Sequence, residues 1–253
     1  MSQKTVHIPS TSTHFLRQLE KTLLQKENTR EVATALMSIH DELASREFPD
    51  LQYLDYLEQK HTENNIATYL EIGVRWGDAL RLYRPECKAV GVDPAFDIKH
   101  SLPTKPTLYA MLSDDFFFEH SEVYENHFEL IFIDGLHEAR QTAKDIFHAL
   151  GVLKEGGEIL VHDAMPISMA VATPTQKTRF WTGNVWQAAY AFCSKEFPLK
   201  WEFVPAAPSG LLRLYDIEPG FRPSRREIMH RVSEAEKMNF ADAVELLSFL
   251  KSL

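Results

Sequence analysis

Between Ala67 and Asp163, five short runs rich in β-branched and apolar residues, ATYLEIG, CKAVGVD, PTLYAML, FELIFIDG and GEILVHD, each give way to a turn or helix signal. Parallel strands need crossover connections, and these are usually helices. The alternation therefore predicts an α/β fold with a mostly parallel sheet covered by helices on both faces. FELIFIDG is nearly all apolar, as a central strand buried on both sides must be. Two later runs, WEFVPA and LLRLYDI, flank Ala207, Pro208, Ser209 and Gly210 and predict a hairpin that closes the sheet in antiparallel sense.

The sequence on either side of the strands reads as helix. From Thr13 to about Gln59 apolar residues recur at helical spacing (Phe15, Leu19, Leu23, then Val32, Leu36, Ile39, Leu43), which predicts two or three helices, with Asn28 and Glu31 as a capping box. A helical tail is expected from about Ser224 to Leu253, and the stretch from Pro166 to Gly183 reads as a loop or lid over the sheet's edge. The expected division is a helical region at 1–62, a core at 63–218 and a helical tail at 219–253.

Composition narrows the functional classes. With 27 basic and 36 acidic residues the net charge is -9, and no cluster of lysines and arginines would track a phosphate backbone, so nucleic acid is not expected as a partner. Cys87 and Cys193 are too few for a disulfide framework and lack metal-finger spacing, which suits a reducing compartment. The segment MSQKTVHIPSTST has no apolar run of the signal-peptide kind, and no stretch approaches the roughly 20 apolar residues that span a bilayer. A cytoplasmic location without membrane contact is the expectation.

The first run ends in Glu71-Ile72-Gly73-Val74-Arg75-Trp76-Gly77 and leads into the helical pattern Asp78-Ala79-Leu80-Arg81-Leu82. Glycines at this point let the backbone turn sharply and approach a nucleotide-like ligand. The second run ends in Gly91-Val92-Asp93, about twenty positions after Glu71, where a carboxylate can accept hydrogen bonds from ribose hydroxyls. Arg75 stands where the dinucleotide fingerprint has its middle glycine, and the phosphate-binding lysine motif is absent. A cofactor without phosphates fits this loop better than a pyrophosphate does.

In the stretches YLEIGVRWGDAL, VGVDP, MLSDDFF, FELIFIDGLHEARQTAKDI, GGEILVHDAMP and TGNVWQA, from roughly Ala67 to Ala191, the sequence resembles the class I S-adenosylmethionine-dependent methyltransferases. More narrowly, it resembles a family that includes O-methyltransferases acting on sugars of macrolide and aminocoumarin antibiotics. The resemblance implies a Rossmann-like class I sheet. It also implies that Glu71 and Gly73 line the methionine end of the cofactor with Gly77 in the same loop, that Asp93 holds the ribose, and that Ser113 with Asp114 contacts the adenine; Asp134 is counted among the cofactor-binding residues as well as the catalytic and metal-binding ones.

FELIFIDG delivers Asp134 and then His137 at its carboxyl end, and GEILVHD delivers His162 and Asp163. If these strands are neighbours, as the resemblance implies, they lie about 4.8 Å apart and Asp134 and Asp163 can share one cation. Oxygen ligands favour Mg²⁺, which would bind a substrate hydroxyl and lower its pKa, leaving His137 to take the proton. In the metal-dependent sugar methyltransferases that the chain resembles, the motif matching Asp134 to His137 supplies a ligand and a base, and an acidic pair matches His162-Asp163. Successive strand residues face opposite ways, so His162, standing in place of an acid, faces either the core or the site. In the site it shifts preference towards Mn²⁺ or Zn²⁺. Asp134 and Asp163 can alternatively hold loop amides or substrate without metal.

Trp181 and Trp186 offer flat surfaces on which a sugar ring would stack, although Trp186 and Tyr190 are also spaced to pack together on one helical face. Asn184 stands where related sequences commonly have an acid and is given no catalytic role. The expected function is methylation, at oxygen before nitrogen, of a small-molecule hydroxyl, with a saccharide or glycosylated natural product as the candidate acceptor. A metal hydrolase using the same acids and histidines, and a non-catalytic S-adenosylmethionine-binding protein with its terminal helices as an interaction surface, are the two competing readings; in any of them the terminal helices could pair subunits into a homo-oligomer.

Overall fold

The computed structural model describes residues 12–253; expectations for the segment 1–11 lie outside them. Three helices come first, α1 (Thr13–Leu23), α2 (Arg30–Glu47) and α3 (Tyr53–Glu63). The core follows as β1 (Thr68–Ile72), β2 (Lys88–Val92), β3 (Thr107–Tyr109), α4 (Ser113–His120), β4 (Phe128–Ile133), α5 (Ala139–Val152), β5 (Leu153–His162), α6 (Val185–Phe192), β6 (Lys200–Val204) and β7 (Leu211–Tyr215). Two helices close the chain, α7 (Arg225–Ala235) and α8 (Ala243–Ser252). Among the described residues no helix is long and apolar enough to cross a membrane.

The seven strands form one sheet in the order β3-β2-β1-β4-β5-β7-β6. Strands β1 to β5 run parallel, and β7 is antiparallel to both β5 and β6. This is the expected Rossmann-like class I sheet. The predicted hairpin is present, with its second strand inserted between β5 and β6 rather than added at the edge.

Strand β4 shows why the sheet is buried on both faces. Ile131 and Ile133 pack with Ala143 and Ile146 of α5 on one side, while Leu130 and Phe132 belong with Leu57 of α3 and Leu80 on the other. Period-2 alternation sends apolar side chains to each face, so a strand covered twice must be apolar throughout. The last helices join this core through Ile228 and Val232 of α7. Leu247 of α8 packs instead with Leu16, Ile39 and Leu43 of the first two helices and with Met165 and Ile167. The terminal helices thus meet over the segment between β5 and α6.

Two local expectations are corrected. The pattern Asp78 to Leu82 forms only a 3-10 turn at Leu80–Leu82. Gly77 sits at φ +79° just before it and Pro85 follows, which disfavours helix at the preceding residue, so too little chain remains to offset helix nucleation. The N-cap of α2 is Thr29, whose hydroxyl accepts from the Val32 amide at 3.3 Å, rather than Asn28.

The stretch from Pro166 to Gly183 is irregular, as expected, but Ile167, Ser168, Val171 and Thr178 within it are buried. Polar ties hold it. Arg17 donates to the Ile167 carbonyl at 2.7 Å, and the Ser168 hydroxyl donates to Glu20 at 2.6 Å. Glu20 also meets the buried His40 imidazole at 2.8 Å. Glu20→Ala would leave both partners buried and unpaired, at about 1–3 kcal/mol for each orphaned group. Urea denaturation of this variant is expected to show that loss as a lower midpoint with an unchanged m-value.

Candidate active site

The register of the sheet brings four strand ends to one level, since Ile72 pairs with Val92 and with Ile133, and Ile133 pairs with Val161. The residues just beyond these ends open into a cavity of about 780 Å³. Ligands of open α/β sheets bind at this end of the strands. Glu71, Gly73, Asp93, Ser113, Asp114, Asp134, His137, His162 and Asp163 all line it. Gly77 does not: it makes the turn that returns its amide to the Val74 carbonyl at 2.8 Å and faces Ile98.

Just beyond β1, Gly73 has φ +89°, and a Cβ there would lie 2.1 Å from the Asp134 carbonyl oxygen. The sequence suggests a glycine needed for approach to a ligand, whereas its close approach is to the neighbouring strand end. Arg75 is also left-handed, at φ +43°, a conformation that costs a side-chain-bearing residue about 1–3 kcal/mol. Asp93 holds it there: one carboxylate oxygen accepts the Arg75 amide at 2.8 Å and the other the Ala95 amide at 2.7 Å. Glu71 is buried and accepts from the Tyr69 hydroxyl at 2.7 Å. Burial pushes its carboxyl well above the usual range, with the nearby Asp134 adding to the shift against the stabilising Tyr69 hydrogen bond. Ser113 and Asp114 open α4 and are tied to α5 by Gln141, which donates to both at 3.2 and 3.0 Å.

Beyond the ends of β4 and β5 four titratable groups interlock. His137 places Nε2 3.3 Å from Asp134 and Nδ1 3.1 Å from Asp163, and Nδ1 also lies 2.9 Å from the Trp181 carbonyl. Nδ1 of His162 faces Asp134 at 3.2 Å and Asp163 at 3.5 Å. Burial works against the imidazolium of His137, but Asp163 and Asp134 outweigh it and carry the pKa up to about 10. Burial likewise opposes ionisation of Asp134, yet His162 and His137 hold that carboxyl well below the usual range. His162 is raised for the same reason, its two acidic neighbours overcoming its burial.

His162 therefore faces the site through Nδ1, while its Nε2 is buried without a partner. The Tyr53 ring lies 4.2 Å from the imidazole, centroid to centroid. Asp163 is left-handed at φ +59° and buried, and accepts from the Ser209 hydroxyl at 2.5 Å. Strain of this kind concentrates at sites where neighbours over-determine a geometry.

Gly183 abuts the backbone of His137. It has φ +59°, and a Cβ on it would sit 1.7 Å from the His137 carbonyl oxygen. Gly183→Ala must displace one backbone or the other. It is expected to lower Tm by about 4 °C or more, because one kcal/mol is worth about 2–4 °C in a chain of this size and the strained φ alone costs about 1–3 kcal/mol. Differential scanning calorimetry checks this.

Sequence reasoning missed Tyr53, Arg179 and Phe180 in the wall and Ser209 behind it. The first three come from a helix and a loop outside the strand pattern, and only the hairpin loop hinted at Ser209. Trp181 lines the cavity, but Trp186 is buried and packs edge-on to Phe240 at 5.6 Å, so it belongs to the core and offers no platform for a sugar. Asn184 supports the backbone, since its side-chain oxygen accepts the Ala139 amide at 2.9 Å at the start of α5.

Residues 70–164, from β1 to the end of β5, match the model of a family described as a methyltransferase domain. Among solved structures the chain is similar to an O-methyltransferase from Bacillus cereus in complex with SAH, at 13% identity and TM-score 0.48, covering 81% of this chain and 100% of that one. It is also similar to the SAH-bound methyltransferase of Podospora anserina, at 14% identity and TM-score 0.49, covering 83% and 98%. A protein from Corynebacterium glutamicum shows 17% identity and TM-score 0.45 over 82% and 98%. No curated protein sequence matches the chain.

Proposed function

We propose that the cavity binds S-adenosylmethionine and that the chain directs its methyl group to a hydroxyl of a small polar acceptor, a saccharide or sugar-bearing molecule. One observation carries the reading. The segment matched to the methyltransferase domain contains every expected site residue from Glu71 to Asp163, and all of these except Gly77 line one cavity. Glu71, Gly73, Asp93, Ser113 and Asp114 stand at the cofactor end, and Asp134, His137, His162 and Asp163 at the acceptor end. A metal hydrolase would leave the first group without a role. The division into 1–62, 63–218 and 219–253 is retained as part of this proposal.

Bound S-adenosylmethionine supplies an electrophilic methyl on sulfur, which leaves as a neutral thioether once the acceptor oxygen has taken the methyl. Asp93 holds the ribose hydroxyls with the oxygen lone pairs that its two backbone amides do not use. Ser113 and Asp114 face the adenine. His137 receives the hydroxyl proton, and because Asp134 and Asp163 keep it protonated as it stands, it must first give up a proton of its own. Trp181 and Tyr53 wall off the reacting end.

The donor set at this end fits a divalent cation. Asp134, His162 and Asp163 each offer one ligand atom, and these atoms lie within 4.8 Å of one another. Neighbouring ligands about 3 Å apart suit bonds of about 2.1 Å. Nδ1 of His162, facing two carboxylates, carries a proton that coordination would displace. Mg²⁺ suits the two carboxylates, and the imidazole adds a preference for Mn²⁺ or Zn²⁺. Such an ion supplies a Lewis acid that lowers the pKa of the acceptor hydroxyl.

Calorimetric titration of S-adenosylmethionine into the purified protein, with and without Mg²⁺, tests the reading. Stoichiometric binding is expected. Absence of heat under both conditions, with folded protein verified by circular dichroism, would overturn it.

A further inference from the structure

Among the described residues, two cations of the cavity wall, Arg75 and Arg179, have guanidinium groups without a hydrogen bond or ion pair, and of these only Arg179 also lacks an aromatic partner. Asp78 meets His100 at 2.7 Å and Asp114 meets Lys144 at 3.0 Å. Glu71, Asp93, Asp134 and Asp163 have the partners described above, and the Arg75 guanidinium lies over the Trp76 ring at 4.1 Å. Arg179 also lines the cavity and is exposed. It makes no hydrogen bond and no ion pair among the described residues. Asp41 of α2 senses its charge without pairing with it.

The backbone that carries Arg179 is held in place. The Thr178 hydroxyl donates to the Phe180 carbonyl at 2.5 Å, the Trp181 indole N–H donates to the Thr173 carbonyl at 2.6 Å, and the Thr182 amide donates to the Val171 carbonyl at 3.1 Å. The Trp181 carbonyl in turn touches Nδ1 of His137 at 2.9 Å. Two residues of chain span at most about 7 Å, so the backbone of Arg179 lies close to the segment that touches His137. A guanidinium presents a planar fork of donors that matches a carboxylate or a phosphate. Phe180 and Trp181 beside it supply the apolar surface on which the uncharged part of an acceptor would lie.

We propose that Arg179 sets acceptor specificity, and that the acceptor carries an anionic oxygen group, a carboxylate or a phosphate, a few bonds from the hydroxyl it presents to His137. The proposal rests on the methyltransferase reading above and narrows its substrate class to acidic hydroxy compounds such as uronic acids or sugar phosphates. Arg179 acts by holding this group, and the reacting atoms remain with His137 and the acids around it.

Glucuronate, glucose 6-phosphate and glucose, titrated calorimetrically into the SAH-saturated full-length protein, test the inference in wild type, Arg179→Lys and Arg179→Gln. At least one of the two anions is expected to bind wild type about tenfold or more tightly than glucose does, the scale of one charge-assisted contact. Arg179→Gln should reduce that preference to within about threefold, and Arg179→Lys should keep part of it. S-adenosylmethionine affinity should be equal in all three proteins. No preference in wild type, or a preference that survives Arg179→Gln, overturns the proposal. So does a fall in S-adenosylmethionine affinity in Arg179→Gln, which would put the guanidinium on the cofactor's own carboxylate. Failure of SAH itself to bind wild type is a separate result and counts against the methyltransferase reading, while the anion comparison can still be made on the protein alone.

Discussion

His137→Ala is expected to lower kcat for methyl transfer by about 10²–10⁴-fold, the range that a positioned acid or base contributes. Affinity for S-adenosylmethionine should stay within a few-fold of wild type, because the residues proposed to contact the cofactor lie at the ends of β1 and β2 and at the start of α4, apart from His137 in the chain. Single-turnover kinetics with saturating cofactor separates the two quantities. The same residue predicts a pH dependence. With its imidazole held protonated by Asp163 and Asp134, the basic form becomes available only as pH rises towards about 10, so kcat without added metal should climb through the neutral range. Stability should move the opposite way. The folded pKa lies above the ordinary 6.5, so the stabilisation from this protonated state is whole below 6.5 and is lost as pH rises through about 10. Thermal melts of wild type and His137→Ala across that window should converge at the alkaline end.

Asp93→Ala is expected to raise the Kd for S-adenosylmethionine by about 100-fold or more. The carboxylate is proposed to bind the ribose, and it also fixes the loop after β1 by accepting the Arg75 and Ala95 amides. Hydrogen bonds to charged groups contribute about 1.5–3 kcal/mol each, and about 1.4 kcal/mol is a factor of ten, so losing two supports the figure. Without its anchor, Arg75 is also free to leave its left-handed conformation. Asp93→Asn separates the roles, because an amide retains one acceptor oxygen and should fall between alanine and wild type. An alanine variant that binds cofactor as wild type does would remove Asp93 from the site.

The strands are legible because each is a short apolar run bounded by turn chemistry, and all seven appear where the alternation places them. The acids and histidines are legible because strand ends are where an α/β sheet presents its side chains to a ligand. His162 is ambiguous on the strand's period alone; the structure resolves it through Nδ1, which meets two carboxylates across β4 and β5. Tyr53, Arg179 and Ser209 reach the cavity or its supports by tertiary packing from a helix, a loop and a hairpin. Their local sequence carries no periodic or spacing signal that points inward. The 3-10 turn between β1 and β2 escapes for a related reason: five residues of helical pattern are too few to specify a helix against the neighbouring glycine and proline.

The insertion of β7 between β5 and β6 sets an order of assembly. Asp163 directly follows β5, but the Ser209 hydroxyl that engages it comes 46 residues later, from the loop that leads into β7. A nascent polypeptide that has emerged only through Asp163 already contains Asp134, His137, His162 and Asp163, yet has neither that hydroxyl nor the strand β7 that pairs with β5. Closures over such separations are the slow steps of folding. The surroundings of Asp163 are therefore completed later in the chain than the turn at Gly73, whose close neighbour Asp134 follows β4.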